Sequence, residues 1–246
     1  MIYTSVNNPK IKLISSLKDK KGRKEQSAYF VEGVKMVKEA LNCRADVRCI
    51  VGTENVLKEN GLFGNEMAIC VDEKVFKYVC DSVTPQGLAA VIGIPENAKT
   101  SPQGNCIILD GIQDPGNMGT IVRTAAAAGV KDIYTLTCTD PYSPKAVRSS
   151  MSGIYFVDIH QIDYADIEGL FKNHKILVAD MHGENIFSFK NEGNFALVIG
   201  NEANGVSDFM KDAAQTKISI PMSENIESLN AGVSCAIALY QLIFTK

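Results

Sequence analysis

Short apolar runs alternate with longer amphipathic segments along this chain. Ile11, Ile14 and Leu17 recur about three residues apart, which indicates a helix with one apolar face. After it, the expected strands of the first third are AYFVEG, VRCIVG, MAICV and GLAAVIGI. The segments between them, VKMVKEAL, NVLKENG and DEKVFKYV, predict helices. This pattern predicts a small α/β domain over residues 1–94.

The alternation stops at residues 95–104 and resumes afterwards. The segment PENAKTSPQG contains prolines, a glycine and small polar residues, and is predicted to be a linker. From Asn105 the expected strands are CIIL, DIYTLT, YFVDI, KILVAD, FALVIG and KISIP, with an Ala/Leu-rich helix at the end. Apolar strands separated by helices are typical of a parallel sheet covered on both faces, so residues 105–246 are predicted to form a second α/β domain.

Composition narrows the class of protein. With 246 residues and 46% hydrophobic content, the chain can form two domains. No apolar run reaches the roughly 18 residues of a membrane helix, and no signal peptide is evident, so the expected compartment is the cytoplasm, away from any membrane. The seven cysteines include no C-x-x-C and are expected to be reduced, and the three histidines have no ligand spacing. We therefore predict no metal site.

The charge is unevenly distributed. The formal net charge is −3, yet the chain through Arg48 holds eleven Lys and Arg against five Asp and Glu. Such an asymmetry indicates a nucleic-acid partner, although a basic run is equally consistent with a solvated helix face. The residues predicted to bind the nucleic acid are Lys10, Lys12, Lys20, Lys21, Arg23 and Lys24.

Three polar loops follow apolar strands in the second domain: GIQDPGNMG, NEANGVSD and MSENIESLN. The carboxyl ends of parallel strands meet at one edge of a sheet, where open α/β proteins bind ligands. The dinucleotide fingerprint G-x-G-x-x-G is absent, because Gly111, Gly116 and Gly119 have a different spacing. The sequence therefore predicts a ligand crevice without the usual pyrophosphate clamp.

The first loop suggests an anion site. Asn117 is predicted to cap a helix in which Arg123 is the sixth or seventh residue. A guanidinium among small and apolar residues needs an anionic partner. An internal salt bridge and a ligand phosphate both remain open at this point.

The other two loops carry further candidates. Glu202 follows a strand and is expected either to fix its loop or to act in catalysis. Ser228 is a candidate helix cap or active-site hydroxyl, and Leu229 a candidate core residue. Since the chain has no G-x-S-x-G elbow and its histidines lie elsewhere, hydrolase chemistry is disfavoured.

Three blocks carry a family resemblance: DGIQDPGNMGTIVRTAAAAG, LVIGNEANGVSD and ISIPMSENIESLNAGVSCAIALY. They resemble the three motifs of the SpoU (TrmH-like) branch of the SPOUT RNA 2′-O-ribose methyltransferases. The segment from Asn8 to Leu41 resembles the substrate-binding domain that precedes them, a ribosomal-protein L30e-like α/β fold. The resemblance implies an S-adenosylmethionine-dependent enzyme, a trefoil knot in the parallel-sheet domain, and a homodimer formed by that domain.

The resemblance also implies roles for particular residues. The cofactor-binding positions are Gly200, Ile220, Met222 and Leu229. The polar active-site positions are Asn117, Arg123, Glu202, Ser228 and Asn230. The family's third motif has a glycine where this chain has Glu224, and a carboxylate facing RNA phosphates would be repelled.

The implied substrate is RNA, most simply 23S ribosomal RNA because of the appended first domain. Three alternatives remain open: a tRNA 2′-O-methyltransferase, an RNA-binding protein of the same fold that no longer methylates, and a small-molecule methyltransferase. The last of these leaves the basic amino-terminal segment without a purpose.

Overall fold

The computed structural model describes residues 2–43 and 45–245, which group into two units. The first unit extends to Pro95 and also contains Tyr142–Tyr155. The second contains Glu96–Pro141 and the chain from Phe156 onward.

The first unit is a mixed sheet with helices, which agrees with the α/β class that its sequence pattern predicts. The strands run β1 (Ile2–Tyr3), β2 (Ala28–Glu32), β3 (Val47–Thr53), β4 (Ala68–Val71) and β5 (Leu88–Gly93). The helices are α1 (Pro9–Ser16), α2 (Lys20–Gln26), α3 (Val34–Asn42), α4 (Glu54–Glu59) and α5 (Glu73–Val79). In the described part of the chain the sheet order is β1-β4-β3-β5-β2, with β5 antiparallel to both of its neighbours.

Helix α1 has the apolar face expected from its spacing. Ile11, Ile14 and Leu17 are buried, and they belong to the same core cluster as Val75 and Phe76 of α5. Asn8 caps the helix, since its side chain accepts the amide of Lys10. The lysines of α1 consequently lie on its outer side.

The second unit contains the predicted parallel sheet. Its strands are β6 (Cys106–Asp110), β7 (Asp132–Leu136), β8 (Asp158–Gln161), β9 (Lys175–Asn185), β10 (Phe195–Gly200) and β11 (Thr216–Ser219). Its helices are α6 (Pro115–Ala128), α8 (Ile167–Phe171), α9 (Asp208–Ala213) and α10 (Ala231–Phe244). All described strand pairs are parallel in the order β11-β9-β10-β6-β7-β8, and β6 and β10 are fully buried except for Gly200.

Helix α7 (Pro144–Ser150) belongs to the first unit, although the boundary expected from the sequence assigns it to the second domain. It packs against β2, and Ala146 and Val147 are buried. A short 3₁₀ turn, Met151–Tyr155, follows it. The strand predicted at YFVDI therefore begins later, at Asp158.

The predicted linker is held by side-chain bonds to the second unit. Asn97 donates from Nδ2 to the carbonyl of Gln161 at 2.9 Å and accepts the Gln161 amide at 2.8 Å. The Tyr134 hydroxyl donates to the carbonyl of Thr100 at 2.7 Å. This segment is thus bonded to β7 and β8, the last two strands at one side of the parallel sheet.

Strand β9 passes very close to β11 at Gly183. A Cβ atom at Gly183 would lie 2.5 Å from the amide nitrogen of Ile218, which is closer than any side chain tolerates. The pairing of β9 with β11 also shifts register between Lys217 and Ile218. The trefoil knot implied by the family resemblance remains a prediction.

Three expectations about composition concern the described residues. None of their helices is long and apolar enough to cross a membrane. The seven cysteines are free thiols, and four of them are buried. Among the described residues, no group of three or more His, Cys, Asp or Glu side chains stands close enough to hold a metal ion.

Candidate functional site

Three loops meet at one edge of the parallel sheet. Strands β6 and β10 are neighbours, and Gly200 pairs with Asp110 at their carboxyl ends. The third loop leads from β11 into α10, which packs against both α6 and β10. The fold therefore brings together the three loops that the sequence predicts to form a crevice.

Asn117 joins these loops through its side chain. Its Nδ2 donates to Glu202 Oε1 at 2.8 Å, and its Oδ1 accepts Nδ2 of Asn230 at 2.8 Å. Asn230 in turn caps α10, because its Oδ1 accepts the amides of Gly232 and Val233. The chain Glu202–Asn117–Asn230, here called the loop junction, links one residue from each loop.

Helix α6 is capped by Asp114, so the prediction that Asn117 is the cap is wrong. Asp114 Oδ1 accepts the amide of Asn117 at 2.9 Å, and Pro115 takes the first helical position, where its missing N–H costs nothing. Asn117 is the third residue of the helix, with its side chain turned to the junction. Arg123 is accordingly the ninth residue, later than the sequence suggests.

Hydrogen bonds keep the Glu202 carboxylate ionised. Besides Asn117, the backbone amides of Gln113 and Asp114 donate to it, each at 3.4 Å. Burial alone would raise the pKa of Glu202, but these bonds outweigh it and hold the pKa below its ordinary value. A carboxylate engaged in this way favours the alternative in which Glu202 fixes the loops.

Arg123 lies on an exposed side of α6. It is exposed together with Thr120 and Ala127, which follow helical spacing on either side of it. Within residues 2–43 and 45–245, no hydrogen bond or ion pair reaches its guanidinium. The internal salt bridge considered from the sequence is therefore wrong for the described chain, and the charge is free to meet a ligand or a second molecule.

The third loop is largely exposed between Pro221 and Asn230. Because Asn230 is the helix cap, Ser228 does not have that role. Leu229 is only half-buried and faces a cavity rather than the core. Glu224 is exposed.

A cavity of about 500 Å³ opens beside the loop junction. The four residues predicted to hold a cofactor, Gly200, Ile220, Met222 and Leu229, all line it. Glu202 and Ser228 also lie on its wall. Asn117, Arg123 and Asn230 are not among the described residues that line it. Its volume is in the range of sites for drug-sized ligands, about 300–1,000 Å³.

The second loop forms one wall of the cavity as a tight hairpin. Asn201 and Gly205 exchange backbone hydrogen bonds of 2.9 Å in both directions. A Cβ atom at Gly200 would lie 2.3 Å from the amide nitrogen of Val206. Glycine at this position therefore lets the chain fold back directly at the end of β10.

Sequence reasoning missed part of the cavity wall. Asp180 and Met181 line it from the extended part of β9. The apolar run predicts a strand that ends at Asp180, whereas β9 continues to Asn185. A polar residue directly after a buried apolar strand was the available signal.

Comparison with protein families decides the assignment. The model of the SpoU rRNA methylase family matches residues 104–240, which is more than half of the chain. The chain belongs to the SpoU rRNA methylase family. The model of the MRM3-like substrate-binding domain matches residues 8–90, which lie in the first unit.

Individual relatives of this SpoU protein cover it from end to end. It is 29% identical to the 23S rRNA (guanosine(2553)-2′-O)-methyltransferase RlmP of Bacillus subtilis, over 97% of each chain. The AdoMet-bound rRNA methyltransferase from Sinorhizobium meliloti is 26% identical, with a TM-score of 0.88 over 98% of this chain and 96% of that one. The SpoU methyltransferase AviRb from Streptomyces viridochromogenes, solved with AdoMet, is 21% identical and shares the fold, with a TM-score of 0.86 over 96% and 97%.

As a SpoU family member, the chain is an RNA methyltransferase that uses S-adenosylmethionine. The cavity fits this cofactor. Ile220 and Leu229 give it apolar surface, and the carboxylates of Asp180 and Glu202 suit a ligand that carries positive charge. Backbone groups of the Gly200 hairpin complete the wall.

The basic segment of the SpoU protein's first unit divides into two kinds of residue. Lys10, Lys12, Lys20, Lys21 and Lys24 are exposed, as RNA contacts require.

Arg23 differs from these lysines, because it is only 4% exposed. Its Nη1 donates to the carbonyls of Leu17 and Lys18 at 2.8 and 2.7 Å, at the end of α1. The prediction that Arg23 binds RNA is therefore wrong, since its guanidinium is used to hold the fold.

Proposed function

We propose that this SpoU methyltransferase methylates a ribose 2′-hydroxyl of 23S ribosomal RNA. The observation that carries the proposal is the loop junction beside the cavity, where Glu202 both bonds Asn117 and lines the cavity wall. The relative RlmP, a 23S rRNA 2′-O-methyltransferase by name, supports the same substrate because it aligns with both units. A ribosomal substrate would place the enzyme in the cytoplasm.

The reaction sets the tasks of the side chains. When bound, S-adenosylmethionine supplies a methyl group on a cationic sulfur. A ribose hydroxyl must be held in line with that methyl group and must lose its proton. In this proposal Arg123 clamps the RNA phosphate next to the hydroxyl with its planar guanidinium. Because a guanidinium stays protonated, Arg123 is not the base, and that phosphate, Ser228 or a water relays the proton to the bulk solvent.

The loop junction has a supporting task in this proposal. Both ends of the Asn117 amide and both ends of the Asn230 amide are engaged. They therefore keep the ribose-binding and cofactor-binding loops in register, and Glu202 holds them as a fixed anion. Such preorganised groups hold the reacting atoms in place.

A homodimer would complete the site. Helix α10 exposes an apolar stripe at helical spacing, formed by Val233, Tyr240 and Phe244, which are 45%, 44% and 61% exposed. Arg123 belongs to α6, which packs against α10. We propose that a second copy covers this stripe and that Arg123 of each copy serves the cavity of the other.

The dimer is tested by the Tyr240→Glu, Phe244→Glu double variant. Analytical ultracentrifugation should show a dimer for the wild-type chain and a monomer for the variant, with methylation lost. Phe187→Glu is the matched control, since Phe187 is 56% exposed in the same unit but lies outside α10. A wild-type chain that stays monomeric at assay concentration would contradict the dimer.

Mapping ribose methylation tests the substrate. Total RNA from cells with and without the gene should differ at one ribose of 23S rRNA, and purified protein should restore that mark on the unmodified RNA. The position named for RlmP, guanosine 2553 of 23S rRNA, is the first to inspect. A missing mark in tRNA would show a tRNA enzyme instead, and an unchanged map with RNA binding retained would show a protein that no longer methylates.

A further inference from the structure

Asp110 is a buried carboxylate at the edge of the cofactor site. It ends β6, between β7 and β10, and is only 3% exposed. A carboxylate taken out of water is costly unless its oxygens receive hydrogen bonds. The residues that donate to it therefore indicate which parts of the structure this carboxylate holds in place.

Each oxygen of Asp110 has one strong donor. The hydroxyl of Tyr164 donates to Oδ1 at 2.7 Å, and the backbone amide of Ser207 donates to Oδ2 at 2.7 Å. Burial, followed by the bond to Asp110, raises the pKa of Tyr164, so its hydroxyl remains a donor. Ser207 is the N-cap of α9 and the last residue of the loop that begins after Gly200.

That loop is held at both ends by two consecutive residues. Ser207 at its end bonds to Asp110, and Asn201 at its start donates from Nδ2 to the carbonyl of Gly111 at 2.7 Å. Between these anchors, every residue from Asn201 to Val206 lines the cavity. Asp110 and Gly111, at the end of β6, therefore fix the position of this wall of the cavity.

We propose that Asp110 is a positioning residue that presets the Asn201–Ser207 loop for S-adenosylmethionine. It acts through the Ser207 amide and does not touch the cofactor itself. The inference rests on the proposed function, because it concerns the same site. Losing Asp110 should weaken cofactor binding by removing preorganisation of the wall.

Calorimetric titration with S-adenosylmethionine tests this directly. Asp110→Ala should raise Kd by at least about tenfold, equivalent to about 1.4 kcal/mol. Asp110→Asn should restore most of the affinity, because the amide oxygen can still accept the Ser207 amide and its NH2 group can donate to Tyr164. Thr135→Val is the matched control: Thr135 is buried in β7, 5% exposed, and its hydroxyl bonds the His160 carbonyl.

A second pair of variants isolates the Ser207 amide in case Asp110→Ala does not fold. Ser207→Pro removes the N–H at a backbone angle of φ −62°, which proline accepts, whereas Ser207→Ala keeps it. The proline variant should bind at least about tenfold more weakly than the alanine variant, again about 1.4 kcal/mol.

The outcomes separate this inference from the proposed function. If the wild-type chain does not bind S-adenosylmethionine, the proposed function fails and the inference with it. If the wild-type chain binds while Asp110→Ala binds equally well, only the inference is overturned. The inference is also overturned if Thr135→Val weakens binding as much as Asp110→Ala, or if the two Ser207 variants bind alike.

Discussion

Two arginines, one in each unit, have opposite environments. Arg23 is buried in the first unit and donates to the carbonyls of Leu17 and Lys18, just after α1, whereas Arg123 is exposed on α6 and has no partner in the described chain. From the sequence, Arg23 was predicted to bind RNA and Arg123 to hold an active-site position. Arg23 shows that the fold can engage a basic side chain through hydrogen bonds to backbone carbonyls. Arg123 shows that a basic side chain without such partners remains available to a ligand or a second chain.

Replacing Arg123 should have the largest effect. Arg123→Ala removes the proposed phosphate clamp, and methylation should fall by at least about 100-fold. The free energy of unfolding should change by less than about 0.5 kcal/mol, since the side chain is exposed. Single-turnover methylation and thermal unfolding measure the two quantities.

Two further variants sharpen this prediction. Arg123→Lys keeps the charge but loses the two-pronged contact, so its rate should lie between those of Arg123→Ala and the wild type. Lys131→Ala is the control, because Lys131 is exposed just before β7, at the amino end of the sheet. Full activity of Arg123→Lys would show that the planar contact is not needed.

Replacing Arg23 should damage stability instead. Arg23→Met keeps an apolar stem but loses the bonds to Leu17 and Lys18, which should lower the free energy of unfolding by about 1.5–3 kcal/mol. RNA affinity of the folded protein should stay near that of the wild type. Urea unfolding and RNA titration below the transition check both statements. A stable variant with weak RNA binding would reverse our assignment of Arg23.

Replacing the exposed lysines should have the opposite result, which is weaker RNA binding at unchanged stability. Replacing Lys20, Lys21 and Lys24 together with alanine should leave unfolding unchanged. It should weaken binding to a 23S rRNA fragment and lower the salt dependence of log K by up to about one unit per lysine. Titrations at several salt concentrations measure the slope. An unchanged slope would mean that these lysines form only a solvated helix face.

The smallest expected effect concerns pH and Glu202. The lowered pKa of Glu202 means that its ionised form stabilises the folded state. This contribution is present above the unfolded pKa of about 4.3 and is lost as pH falls through the lower folded value. Glu202→Gln should therefore have a lower melting temperature than the wild type near neutral pH. The difference between the two melting temperatures should shrink below about pH 4. Thermal unfolding of both proteins from neutral pH to below about pH 4 measures this difference. A difference that stays constant with pH would contradict a stabilising role of the ionised Glu202.

Much of the fold could be predicted from apolar periodicity. Strands β6 and β10 are short buried runs, and β11 is a short run in which Ile218 is buried. Each ends in a polar loop, so their shared edge followed from the parallel sheet. The cap of α6 could also have been found, because Asp114 directly precedes Pro115, the usual order at a helix start. The closeness of Asn117 to Glu202 and Asn230 needed the fold, since 85 and 113 positions separate the partners in sequence.

Other features left no readable signal. The run KKGRK is polar throughout, so nothing in it marks Arg23 as buried. Arg23 is buried because its guanidinium bonds the carbonyls that follow α1. No glycine or other local cap at the end of α1 signals in the sequence that these carbonyls need a donor. The same holds for Asp110, which looks in sequence like any acidic residue at the end of a strand.

Gly183 has a practical consequence for anyone who varies this protein. Because a backbone occupies the space that any Cβ atom would need there, a library randomised at this codon should return glycine alone among folded clones. A survivor with another residue would have to carry a second change that moves Lys217 or Ile218 away. Such pairs would show, from sequences alone, that the close approach of β9 to β11 is what requires a glycine here.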